Sequence, residues 1–298
     1  MTYNAIIIGG SFAGLSAALM LGRARQRVLV IDEGNRRNRF VAASHGFLGQ
    51  DGRAPGDIIA DARAEVMAYP TVEWANGHVE RAEKIGRVFR VTEASGEVHE
   101  AQRLVLAMGV VDELPAVPGL AERWGRSVFY CPYCDGYELM NGKAAVLATS
   151  LMAMHQAVLL PDWAETTLLL NDVFEPDAEQ RAQLARRGVT VVAGGVREIT
   201  GDRADVVLAD GRVLAFQALF VEPRPRIASP IAQQLGCELE DGMIGPIIKT
   251  DMMRETTVPG VFACGDAATL GAAVALAVGT GAMAGVMAHQ SLVFRSDA

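Results

Sequence analysis

AIIIGGSFAGLSAALMLGRARQRVLVIDE, residues 5–33, runs from an apolar stretch through a glycine turn and a helix-length segment into a second apolar stretch. Residues 5–8 (AIII) are short, unbroken and apolar, as a strand covered on both faces must be. The segment after the turn has helical composition, and VLVIDE (28–33) reads as another strand. Strand, turn, helix and strand at this spacing predict one parallel βαβ unit.

The turn itself is Gly9-Gly10-Ser11-Phe12-Ala13-Gly14. Gly9 permits a tight exit from the strand, and Gly14 lets the helix come close to the sheet. Ser11 is small enough for a pyrophosphate to reach backbone N–H groups at the helix start, and its hydroxyl can donate as well. Asp32 closes the next strand, where an acid accepts hydrogen bonds from a ribose diol. The plain alternative is a generic tight turn, but with strand, helix, strand and acid all in place a dinucleotide site is expected. Its residues are Gly9, Ser11, Phe12, Ala13, Gly14 and Asp32.

Working outward, residues 53–69 look helical, 72–99 alternate like short strands, and RLVLAMG (103–109) is a buried strand ending on Gly109. DELPAVPGL (112–120) reads as a crossing between domains. A second strand–turn–helix unit follows in KAAVLA (143–148), a helical stretch at 151–160 and TTLLLND (166–172). Strands are expected in VTVVAGG and ADVVLADG, and the proline-rich VEPRPRIASP (221–230) reads as the return crossing. The predicted fold class is α/β with two Rossmann-like, three-layer nucleotide-binding domains, the second inserted into the first. The expected boundaries are 1–113 and 223–298 for the first domain and 114–222 for the insert.

A length of 298 residues leaves room for two domains of ordinary size. A net charge of −8 with no run of basic residues argues against nucleic acid and anionic membrane surfaces as partners. The N-terminus enters a strand pattern at once, without the layout of a secretory signal, so a cytoplasmic location is expected. GAAVALAVGTGAMAGVMA (271–288) is apolar for about the minimum length of a membrane span. Its glycines and alanines favour a buried helix instead.

Four cysteines are too few for a disulfide framework, yet VFYCPYCDGYE (128–138) sets two of them in a C-x-x-C. That spacing brings two sulfurs within bonding reach in one turn. Zinc would need two further ligands, and no second C-x-x-C or H-x3–5-H exists, so no metal is expected. Cys237 and Cys264 are isolated and read as core residues. A structural staple is the plainer alternative; redox work is the expected role of Cys131 and Cys134. Asp135 is either a local cap or an acid that serves the thiols. Tyr133, Tyr137 and Glu138 either shape substrate access or pack, and His45, in SHGFLGQDG (44–52), is either structural or a base near a cofactor.

GVFACGD (260–266) ends an apolar strand on Gly265-Asp266, leaving a short carboxylate at the carboxyl end where open α/β sheets hold ligands. Gly9–Gly14, Asp32, LAMG, C-x-x-C-D-G at 131–136 and TVPGVFACGD occur in the order seen in flavin-dependent thioredoxin reductases of the low-molecular-weight type. The chain resembles that family over nearly its whole length. The resemblance implies FAD in the first domain, with Asp266 at the ribityl chain, Gly109 and Gly265 among the flavin-side residues, and a homodimer. It also implies that Asp135 is the acid of the pair, that Cys134 faces the flavin and that Cys131 exchanges with an external dithiol or disulfide. Whichever cysteine attacks should have a lowered pKa.

Members of that family hold NADPH on a second glycine fingerprint, with arginines after the next strand gripping its 2′-phosphate. The matching stretch here is Ala148-Thr149-Ser150-Leu151-Met152-Ala153, and the next strand ends on Asn171-Asp172. An alanine forced into a left-handed turn costs about 1–2 kcal/mol, and the four residues after it are expected to crowd the pyrophosphate position. Ala272-Ala273 stand where the family has an arginine–glutamine pair. NADPH is therefore not expected as a cofactor. CPYC, the trailing GYE and the weak second fingerprint resemble the flavin dithiol oxidases that close disulfides in gliotoxin and holomycin biosynthesis, although that subgroup commonly has His at the position of Asp135. The expected activity is FAD-dependent thiol–disulfide exchange on a thioredoxin-like protein or small dithiol, with dioxygen or a non-nicotinamide donor as second redox partner. The alternatives are an NADPH-dependent thioredoxin reductase and a non-catalytic flavin-binding sensor.

Overall fold

The structure, a computed structural model, describes residues 2–295. The chain runs β1 (Thr2–Ile8), α1 (Phe12–Arg23), β2 (Val28–Asp32), α2 (Pro55–Met67), β3 (Val72–Asn76), β4 (Val79–Ile85), β5 (Val88–Glu93), β6 (Val98–Leu106) and β7 (Val110–Glu113). It continues through β8 (Val128–Phe129), α3 (Pro132–Asp135), β9 (Lys143–Leu147), α4 (Ala153–Leu159), β10 (Glu165–Leu169), α5 (Ala178–Arg186) and β11 (Thr190–Val192). Then come β12 (Val196–Thr200), β13 (Ala204–Leu208), β14 (Val213–Phe216), β15 (Ala218–Val221), β16 (Arg224–Ile227) and α6 (Ile231–Gln234). The last elements are β17 (Leu239–Asp241), β18 (Pro246–Ile248), β19 (Val261–Ala263) and α7 (Val274–Phe294).

The first sheet has the order β3-β2-β1-β6-β5-β4, with β19 also paired to β6. Its centre is parallel: Ile7 registers with Val30 on one side and Val105 on the other. Side chains alternate along β1, so Ile6 and Ile8 enter one core with Ile231 and Ile248, while Ala5 and Ile7 enter the other beneath α1 and α7. Two covered faces explain why AIII shows no polar alternation.

The second sheet, β11-β10-β9-β15-β8, is parallel throughout. Ala144 and Val146 pack with Ala153, Ala157 and Leu184 from α4 and α5. On the opposite face Ala145 and Leu147 pack with Ile199, Val206 and Leu208 of the β12–β14 meander. The fold is thus α/β with two Rossmann-like domains, the second lying in sequence between strands of the first sheet. The two proline-rich crossings are more ordered than a loop reading suggests. They hold an antiparallel ribbon, β7 with β16, in which Pro225 faces Asp112; a two-stranded ribbon is all edge, where proline is tolerated.

The apolar C-terminal helix corrects one expectation, because α7 is buried on one face only. Its length and composition alone would allow it to cross a membrane. A Cβ at Gly281 or Gly285 would stand 2.2 Å from the Ala13 carbonyl oxygen or 2.6 Å from that of Ala17, so α7 lies directly on α1. Leu276, Met283, Val293 and Phe294 remain exposed on the other side. Glycines let two helix backbones meet along one stripe, and that contact leaves the far face free.

Candidate active site

The first turn is a cradle that side chains would fill. Gly9 has φ +101°, and a Cβ there would lie 2.4 Å from the Ala107 carbonyl oxygen. A Cβ on Gly14 would lie 1.8 Å from the Gly9 oxygen, which is why α1 starts so close to the sheet. Ser11 occupies the N-cap of α1 without a side-chain capping bond, followed by Phe12 and Ala13. The opening N–H groups of the helix are therefore uncapped by any side chain, which is the donor set a pyrophosphate needs. Asp32, last in β2, accepts the Gly10 N–H at 2.8 Å. These features fit a bound FAD.

At the carboxyl ends of β6 and β19, Gly109 leads into the β7 ribbon and Gly265 precedes Asp266. Gly265 donates its N–H to Thr280 Oγ1 at 3.1 Å, tying the start of that turn to α7. Asp266 Oδ2 is held by Arg37 Nη1 at 2.8 Å. The same guanidinium grips Asp112 with Nε at 2.8 Å and Nη2 at 2.6 Å. Burial opposes the Arg37 charge, but the two carboxylates more than offset it and hold the cation firmly. Arg37 is absent from the sequence-derived residue set. It sits in GNRRNRF (34–40), which reads as an ordinary basic surface loop, and only the fold brings it between two acids.

Cys131 caps α3, and its carbonyl accepts the N–H groups of Cys134 at 3.1 Å and Asp135 at 3.2 Å. Pro132 at the first helical position favours that turn. Both cysteines are half-buried free thiols. The Cys134 thiol donates to the Cys131 sulfur, and backbone N–H groups of Cys134 and Tyr133 add to it, so Cys131 ionises more readily than an ordinary cysteine. Donation to Cys131 and burial push Cys134 far the other way, while Arg37 draws it back in part. Cys131 is thus the better nucleophile of the two.

Burial, helped by Glu138 and opposed by His45, pushes the Asp135 carboxyl up to about 7. Glu138 Oε1 lies 3.5 Å from His45 Nε2, so loop 44–52 meets the cysteine loop directly. Tyr133 packs edge-on against Trp163 with ring centroids 5.1 Å apart, and both Tyr133 and Tyr137 are largely exposed beside the thiols. Cys237 and Cys264 lie buried in the first domain, and burial lifts Cys264 to about 12. They take no part in the site.

The second turn differs from expectation in two ways. Ala148 is absent from the residues with positive φ, so the turn carries no left-handed alanine and none of that strain. Leu151 is more than half exposed, on the solvent side of the turn rather than packed in the core. What fills the turn is polar. Ser150 Oγ donates to Glu222 Oε2 at 3.1 Å and accepts the Met152 N–H at 3.1 Å, while Thr149 Oγ1 donates to the Glu222 carbonyl at 3.4 Å. Asn171 Nδ2 donates to the Ala148 carbonyl at 3.2 Å, and the left-handed region holds Asn171 and Asp172. Burial raises the Glu222 pKa, against the Ser150 hydrogen bond and nearby His155. No motif marks Glu222; it follows β15 and reaches the turn only through the sheet.

The family profile described as pyridine nucleotide-disulphide oxidoreductase matches residues 3–288. Thioredoxin reductase tcpT of Claviceps purpurea is 31% identical over 97% of this chain and 94% of its own length. The solved structure of an oxidoreductase from Agrobacterium tumefaciens is 55% identical with a TM-score of 0.97, covering 99% of this chain and 100% of that one. The crystal structure of HlmI is 36% identical with a TM-score of 0.91, covering 98% of this chain and 93% of that one.

Proposed function

The chain belongs to the pyridine nucleotide-disulphide oxidoreductases as a thioredoxin reductase-like, FAD-dependent disulfide oxidoreductase, and from that premise we propose that it oxidises dithiols without using NADPH. Its substrate is a dithiol, on a thioredoxin-like protein or a small molecule. The substrate loses two electrons and two protons as its disulfide forms, and dioxygen takes up both to give hydrogen peroxide. The observation that carries this reading is the Ser150–Glu222 pair in the second turn. In this reading the Glu222 carboxylate, held in the second turn, repels the pyrophosphate of a nicotinamide dinucleotide that approaches that turn.

In this reading the Gly9–Gly14 turn, Asp32, Gly109, Gly265 and Asp266 hold FAD. When bound there, FAD supplies a two-electron relay between the sulfurs and the second substrate. Cys131 is the sulfur that meets the external dithiol, because its thiolate is the better stabilised. Cys134 completes the pair on the side nearer Arg37, and Asp135 takes or returns the sulfur proton. Arg37 keeps Asp266 and Asp112 in place, joining the turn after β19 to the ribbon that leads to the insert. The reading includes a homodimer, a cytoplasmic location and domain boundaries near residues 113 and 222.

Anaerobic mixing tests it. Dithiothreitol is expected to bleach the flavin absorbance within seconds, while 100-fold excess NADPH or NADH leaves it unchanged. Aerobic turnover should release about one hydrogen peroxide per disulfide formed. Rapid bleaching at micromolar NADPH would overturn the proposal and restore a nicotinamide-dependent reductase.

A further inference from the structure

Loop 44–52 belongs to the first part of the chain and the cysteine loop to the inserted part, and they meet at His45. The imidazole has a carboxylate on each side: Glu138 Oε1 lies 3.5 Å from Nε2 and Asp51 Oδ1 lies 3.6 Å from Nδ1. Asp51 Oδ1 also accepts the Gly46 N–H at 2.8 Å, and the Ser44 N–H donates to the Arg53 carbonyl at 2.8 Å, so the loop closes around the ring. The His45 side chain is 24% exposed, whereas that of Asp51 is 68% exposed. Asp135 directly follows Cys134 on the same loop as Glu138, and Glu138 and His45 are the charges that act on it. Among the described residues, the ionisable groups facing His45 are Asp51 on its own loop and Glu138 and Asp135 on the cysteine loop. Those facing Asp135 are Cys131, Cys134, Glu138 and His45.

We propose that His45 is a positioning residue that ties the redox loop to the first domain through Glu138 and carries protons between that loop and the solvent-exposed Asp51. The inference rests on the dithiol oxidation proposed above and adds the route its protons take. Each dithiol oxidised gives up two protons from sulfur. The Asp135 carboxylate accepts one from an S–H, the His45 imidazole takes up a proton from the cysteine loop on its Nε2 side, facing Glu138, and releases one on its Nδ1 side to Asp51 or water. A ring with two nitrogens, one donating while the other accepts, suits such a relay. Contacts of 3.5 and 3.6 Å are the loose kind that tighten when a substrate closes the site.

The test compares wild-type holoenzyme with His45→Gln, His45→Ala and Glu138→Gln. One measurement is the anaerobic rate of flavin bleaching by dithiothreitol; the other, independent of turnover, is the pH profile of iodoacetamide alkylation of reduced Cys131. His45→Gln should slow bleaching by about tenfold or more, and free imidazole should restore part of the rate to His45→Ala. The alkylation inflection that reports Asp135 should move to higher pH in both His45 variants, which lose the side chain that draws it down, and to lower pH in Glu138→Gln, which loses the one that pushes it up. Wild-type bleaching rates, or slowed rates with no imidazole rescue and an unmoved alkylation profile, would overturn the inference. If wild-type protein itself resists dithiothreitol, the dithiol-oxidation reading fails, and the alkylation profiles still decide the role of His45.

Discussion

Arg37 Nη1 donates to Asp266 Oδ2 at 2.8 Å, binding the loop after β2 to the turn that follows β19. The same side chain reaches Asp112 in the ribbon that leads to the inserted domain. One guanidinium therefore joins the Gly265–Asp266 turn, the interdomain crossing and the field at Cys134. Arg37→Gln should leave two largely buried carboxylates without their cation, at a cost of about 3 kcal/mol. The expected outcome is a melting temperature lower by roughly 6–10 °C and FAD that dissociates on gel filtration. Differential scanning fluorimetry and the flavin-to-protein absorbance ratio check both. An unchanged melting temperature and full FAD retention would show that Arg37 is no clamp.

Asp135 supplies a pH dependence whose sign is set by its environment. Burial first, and Glu138 second, raise its folded pKa to about 7 from the ordinary carboxylate value of 3.8. The folded state then binds more protons than the unfolded state between those values, so this group costs stability increasingly as pH rises from about 4 to about 7. Asp135→Asn removes that cost. The variant should match wild type in melting temperature near pH 4 and exceed it increasingly up to pH 7, with a constant gap above. Its flavin bleaching by dithiothreitol should fall by about 100-fold and lose the inflection near pH 7. A melting-temperature gap independent of pH would contradict this assignment.

The two sulfurs are expected to behave unequally. In the reduced protein, brief iodoacetamide treatment at pH 7 should alkylate Cys131 well before Cys134, because hydrogen bonds stabilise the Cys131 thiolate and the same contacts suppress that of Cys134. Cys134→Ser should still form a mixed disulfide with an external disulfide, its Cys131 thiolate displacing one thiol, while Cys131→Ser should not. Both variants should lose turnover. Peptide mass spectrometry after alkylation decides the order; equal labelling of the two residues would remove the proposed division of labour.

Local signals made much of this readable in advance. The run from Ala5 to Asp32 announces its βαβ unit because a buried strand, a glycine turn and a helix each have a period and composition of their own. Cys131 and Cys134 are legible because three residues of spacing already set what two sulfurs can reach. Arg37, Glu222 and the His45–Glu138 contact were not legible in the same way. Each is a pairing of charged or polar groups between distant segments, and a charged side chain in a loop reads as solvated until the fold removes its water. The turn at Ala148 shows the opposite error: losing glycine does not force alanine into strain, because the backbone takes another path with Asn171 holding its carbonyl.

What the amino-acid order determined by itself is the pair of sheets, the glycine cradle beneath a dinucleotide and the presence of an adjacent thiol pair, since all of these depend on neighbours along the chain. What only the tertiary structure decided is which charge faces which. Glu222 enters the second turn within the insert, Arg37 stands between Asp112 and Asp266 within the first domain, and His45 lies against the redox loop across the two. Electrostatic energy depends on distance and burial rather than on position in the chain, so these contacts exist only once distant segments are folded together.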